Sequence, residues 1–127
     1  MRAARSDRGS AVLEFVLVTP LVLLVALGVL QVALFLHVRT TLTAAAAEGA
    51  RIAALHGSSL AAGERRVRNV LDGSLSSSAL DAVSARRQIV EGMPVAAVTV
   101  EARIPLLGLL GPSGLRVTGH AVMEPGR

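Results

Sequence analysis

The stretch FVLVTPLVLLVALGVLQVALFL, residues 15–36, decides how this chain reads. It contains no charged residue, and only Thr19, Pro20, Gly28 and Gln31 interrupt the apolar run. Coiled as an α-helix it is about 33 Å long, against about 30 Å for the hydrocarbon core of a bilayer. That length and uniformity predict a membrane span rather than the core helix of a soluble protein. A secretory signal has an apolar region of only about 7–15 residues, so the block is too long for the simple case. The run Ala44–Ala47 resembles a small-residue cleavage site, which keeps a long signal sequence open as an alternative.

The flanks set the expected orientation. Arg2, Arg5, Arg8 and the amino terminus precede the span against Asp7 alone, whereas Arg39, Glu48 and Arg51 follow it. Excess positive charge marks the cytoplasmic side, so the N-terminus is expected in the cytoplasm and the remainder outside. Composition narrows the function classes. The chain has 127 residues, 52% of them hydrophobic but only 2% aromatic, and a net charge of +4. The basic residues are not gathered into one motif, and no aromatics interleave them for base stacking, so no nucleic-acid partner is expected. With no cysteine, disulfides and cysteine metal sites are excluded.

Helical periodicity continues past the span. Val38, Leu42, Ala45, Gly49 and Ile52 recur at spacings of four and three, which is one face of a helix. Ala45, Gly49 and Ala53 form a small-xxx-small series that permits close backbone approach. One long helix is expected from about Ser10 to Leu55, stopped by Gly57. Ser58 or Ser59 caps a second helix running to about Leu71, with Gly73 and the SLSSS run ending it. Leu60, Val67, Val70 and Leu71 give that helix an apolar side, and Arg65, Arg66 and Arg68 a basic one, with Glu64 and Arg68 at an i,i+4 spacing. The basic side reads as a solvated face, with anionic lipid headgroups as a further partner.

The period then changes. Val98, Val100, Ala102 and Ile104 alternate with Thr99, Glu101 and Arg103, and Leu115, Val117, Gly119, Ala121 and Met123 with Arg116, Thr118, His120 and Val122, so both segments read as half-buried strands. An earlier strand is expected around Arg86–Val90, with Gly92-Met93-Pro94 turning into the next. Leu106, Leu107, Leu109 and Leu110, in the loop of residues 105–114, are expected to cover the sheet or touch a partner. So few strands are marginal alone and should pack on a helix. The expected fold class is α+β: a long N-terminal transmembrane helix extending outside the membrane, a short second helix, and a small antiparallel sheet of two to three strands. The expected organisation is a basic leader over residues 1–9, a transmembrane helix over 10–36, its extension over 37–57, and a small outer α+β domain over 58–127.

The segment Arg8-Gly9-Ser10-Ala11-Val12-Leu13-Glu14-Phe15 carries the functional reading. A basic leader ends in Gly9, a carboxylate follows five residues later, and the apolar span starts at once. Gly9 has no side chain, so a protease can approach its backbone closely. An acid beside a membrane span is costly, about 2.5–3.5 kcal/mol near a helix centre, and calls for a reason. Near the first helical turn it also meets the positive end of the helix dipole. Taken alone, Glu14 would be an ordinary interfacial residue.

Together these residues resemble a prepilin-type processing site, and more specifically the start of TadE-like proteins. The resembling features are the Gly9-Ser10 start, Glu14-Phe15, Pro20 shortly after, and the Glu48-Gly49-Ala50-Arg51 sequence on an Ala-rich helix. The two terminal strands match by pattern only. The resemblance implies cleavage between Gly9 and Ser10 by a membrane-embedded prepilin peptidase. It implies that Glu14, beside Phe15, attracts the freed amino group of a neighbouring subunit during docking. Implied partners are the peptidase, other pilin-like subunits, an inner-membrane pilus platform and membrane lipids. The implied role is that of a minor pseudopilin in Tad/Flp-type pilus biogenesis and adhesion, at the bacterial inner membrane.

No enzyme is expected. His37, His56 and His120 fit no zinc spacing, no G-x-S-x-G elbow occurs, and neither metal nor other cofactor is implied. The rival readings are a membrane-anchored binding or sensor domain, and a small secreted protein with a long signal sequence.

Overall fold

The computed structural model describes residues 2–75, 78–104 and 113–125, with side chains for all of these except 2–5 and 113. Helix α1 spans Arg2–Ala54 and α2 spans Leu60–Asp72; strands β1 (Leu80–Val90), β2 (Met93–Ile104) and β3 (Ser113–Val122) follow. The α+β architecture is as expected. The chain divides into two compact units, Met1–Leu34 and Phe35–Arg127.

The first unit is helix alone. α1 starts at Arg2, before the Ser10 start expected from the sequence. The leader holds alanines and arginines and no proline, and Gly9 weakens a helix without ending it. From Val12 to Leu34 the large apolar side chains lie exposed, Phe15 at 70% among them. Pro20 sits inside the helix; lacking an N–H, it cannot bond the Val16 carbonyl. α1 is long and apolar enough to cross a membrane, and its most apolar window has 0% of its residues buried.

The second unit packs two helices on one face of a sheet. Buried positions on α1 are Val38, Leu42, Ala45, Ala46, Gly49, Ala50, Ala53 and Ala54, a stripe at helical spacing. α2 has Ser59 as its N-cap, whose Oγ accepts from the Ala62 N–H, and Gly73 as its C-cap. Its buried residues are Gly63, Val67 and Leu71. The sheet order is β1-β2-β3, antiparallel throughout. Ala96, Val98, Val100, Ala102 and Ile104 of the central strand face the helices, and Phe35 packs against the resulting core. Residues 95–100 are all buried, not every second one. Ala97 lies in register between Arg86 and His120, and Thr99 bonds Thr118 across the strands at 3.1 Å.

Three local expectations differ from the structure. β1 begins at Leu80 rather than near Arg86. The β1–β2 turn is Glu91-Gly92, both at positive φ (51° and 80°), while Met93 and Pro94 already belong to β2. Positive φ at both central positions is the type I′ pattern, whose twist matches the flanking strands. Glu64 turns towards the sheet instead of pairing with Arg68: its Oε1 accepts the Ala85 N–H at 2.8 Å. The leucines at 106, 107, 109 and 110 lie outside the described residues.

Candidate functional site

Gly9, Ser10, Glu14 and Phe15 are exposed and lie between the second and fourth turns of α1, so Glu14 is not at the first helical turn as expected, because the helix already starts at Arg2. Ser10 and Glu14 are four residues apart, so they share a helix face with Leu17, Val18 and Leu21. A Cβ added at Gly9 would meet nothing within 4 Å. Glu14 makes no ion pair among the described residues. This part of α1 therefore presents an accessible backbone at Gly9 and, one turn beyond Ser10, a carboxylate unpaired among the described residues, directly before the apolar exposed stretch.

The small-residue series falls in the second unit. Ala45 and Ala53 are buried, and Gly49 lies against α2: a Cβ there would collide with Val67 Cγ2 and stand 2.9 Å from the Gly63 carbonyl oxygen. Reciprocally, a Cβ on Gly63 would stand 2.6 Å from the Gly49 oxygen and 2.8 Å from the Ala53 Cβ. Gly49 and Ala53 thus meet Gly63 within this chain, while Ala45 joins the main core. The Glu48–Arg51 sequence acquires a structural account. Glu48 pairs with Arg66 at 2.9 Å, Gly49 admits α2, Ala50 is fully buried, and Arg51 is exposed.

Sequence reasoning missed two close approaches. Gly63 lies mid-helix, where an isolated glycine costs stability and signals a packing reason. Gly119 lies mid-strand, where a glycine marks another backbone nearby; its absent Cβ would run into the backbone of Ala46 and Ala47. A further surface was not singled out from the sequence: a shallow apolar depression of about 300 Å³ lined by Val90, Met93, Val95, His120, Ala121 and Val122. His37 and His56 are exposed. Among the described residues, no group of three or more His, Cys, Asp or Glu side chains comes together.

The model of one family, the TadE-like proteins, matches residues 9–51. Over that segment, about a third of the chain, the sequence is similar to TadE-like proteins. The TadE-like segment begins at Gly9, contains Glu14, Phe15 and Pro20, and closes on Arg51 at the end of the Glu-Gly-Ala-Arg sequence. It lies entirely on α1, so α2 and the sheet stand outside the match. No match was found among curated proteins or among solved structures.

Proposed function

We propose that this protein is a pilin-like assembly component of a Tad/Flp-type pilus system, a minor pseudopilin that acts in pilus biogenesis and adhesion. The observation that carries the reading is the coincidence of features over residues 9–15 of α1. The TadE-like match opens at Gly9, and Glu14 and Phe15 follow on exposed helix leading into an uncharged stretch of spanning length. α1 anchors the chain in the inner membrane with its N-terminus in the cytoplasm. Prepilin peptidase cuts between Gly9 and Ser10, leaving Glu14 as the fifth residue of the processed chain. Cleavage needs the helix to open locally at the scissile peptide, and glycine lowers that cost by about 1 kcal/mol relative to alanine. Glu14 then draws the freed amino group of a neighbouring pilin-like subunit in a setting of low dielectric, where such a pair is stronger than in water. The inner-membrane platform receives the docked subunits.

The secreted alternative finds less support. A cut within Ala44–Ala47 would place a charged terminus beside Ala45, Ala46 and Ala50, all buried in the core of the second unit, where an unpaired charge is strongly unfavourable.

Co-expression with a cognate prepilin peptidase tests the reading. The wild-type product should begin at Ser10, and Gly9→Leu should remain uncut. Glu14→Gln should insert and be cut but fail to cross-link to other pilin-like subunits and lower piliation. A wild-type chain of unchanged mass beside active peptidase would remove the pseudopilin reading.

A further inference from the structure

Two side chains in the span can form hydrogen bonds, Thr19 and Gln31. Thr19 is satisfied within its own helix: its hydroxyl donates to the Phe15 carbonyl at 2.6 Å. Thr40, Thr41 and Thr43 later in α1 do the same with the carbonyls four residues back. Gln31 differs, since its side chain makes no hydrogen bond among the described residues. A carboxamide offers two donors and an acceptor, and the acyl chains around a span answer none of them. Five apolar residues, Val32–Leu36, separate Gln31 from His37, the next polar residue. At 1.5 Å of rise per residue the group lies well inside the apolar stretch. Its helix face is otherwise apolar, with Leu24, Leu27 and Leu34 exposed. Gly28, one turn earlier, has nothing within 4 Å of where a Cβ would stand, so a neighbouring backbone can come close there.

We propose that Gln31 is an intramembrane contact through which α1 pairs with a second copy of this chain, carboxamide to carboxamide. The second copy is the fitting occupant for two reasons. A carboxamide is complementary to itself, donating and accepting at once. Two copies inserted in the same direction also hold Gln31 at the same depth, so each meets the other without a shift in register. The proposal rests on the membrane-anchor part of the proposed function and not on processing.

The chain has no cysteine, so a single introduced one is a unique reporter. Full-length chains carrying Leu27→Cys or Leu34→Cys, on the Gln31 face, or Val29→Cys or Ala33→Cys, on the opposite face, would be expressed in a host without pilin-like proteins or prepilin peptidase. Membranes would then be oxidised. Dimers should form from the first pair of positions and not the second. Added to Leu34→Cys, Gln31→Leu should lower the dimer about three- to fifteen-fold, the equivalent of about 0.6–1.6 kcal/mol. Gln31→Asn should keep it, with equal protein in the membrane pellet throughout. Equal dimer with Gln31→Leu, loss with Gln31→Asn, cross-links from all four positions, or no dimer would each overturn the proposal. Since the host lacks the peptidase, failure here leaves the cleavage reading standing, and failed cleavage leaves this contact standing.

Discussion

Gly119 and Gly49 are both hemmed in, but by different kinds of atom. At Gly119 the obstructing atoms are all backbone, from Ala46 and Ala47; at Gly49 the nearest is the tip of the Val67 side chain, with the Gly63 oxygen next. Backbone in a packed helix cannot step aside, whereas a valine can change rotamer. Gly119→Ala should therefore destabilise the second unit by about 3 kcal/mol and Gly49→Ala by about 1–2 kcal/mol, within the range for overpacking. Gly73→Ala, at φ −84° with open space around it, should stabilise by about 0.4–1 kcal/mol through the unfolded chain. Chemical unfolding of the full chain in detergent, followed by circular dichroism, measures all three; Gly119→Ala and Gly73→Ala behaving alike would contradict the packing account. Gly9 and Glu14 stand out in the sequence through their spacing along the chain. Gly63 and Gly119 do not, because their meaning lies in which backbone comes near.

Among the elements, α2 was the easiest to read. Its Ser59 cap, apolar stripe and Gly73 stop are all local signals, and the structure uses each. β1 was half hidden: an edge strand with Val83 as its one buried side chain carries little apolar alternation. Its turn was placed one residue late because Gly92 and Pro94 are turn formers by composition, whereas the structure bends at Glu91-Gly92. Glutamate seldom occupies positive φ, so nothing in its identity announced the bend. The tie between α2 and β1 was equally invisible, since Glu64 had a ready partner in Arg68 by helical spacing. As the acceptor for the Ala85 N–H, Glu64 occupies a hydrogen-bonding group on an edge strand that would otherwise be open to pairing. Glu64→Ala should cost about 1.5–3 kcal/mol and speed hydrogen exchange at the Ala85 amide. Glu64→Gln, which keeps an acceptor oxygen, should retain most of the protection. Unchanged exchange at Ala85 in Glu64→Ala would mean the contact contributes nothing.

For the whole molecule, the low aromatic content has a physical counterpart. Among the described residues the largest fully buried side chains are Leu42, Leu71, Val67, Val98 and Val100, so close backbone approach at glycine and alanine does the filling that large rings do elsewhere. Where charge stops and where periodicity changes are properties of long stretches, and both can be read from the sequence. Orientation rests on the flanking arginines: a reporter fused after Arg127 should be active only if it works outside the cytoplasm. Replacing Arg2, Arg5 and Arg8 with Gln should yield chains of both orientations, and activity of a cytoplasm-only reporter on the wild-type chain would reverse the assignment. The two phenylalanines add one more consequence. Phe15 lies on the exposed stretch of the first unit and Phe35 packs against the core of the second, and the chain has no Trp or Tyr. Fluorine-labelled phenylalanine therefore gives a spectrum of two lines, one sensing the lipid or detergent around α1 and the other the integrity of the packed unit, so immersion and unfolding can be followed separately in a single sample.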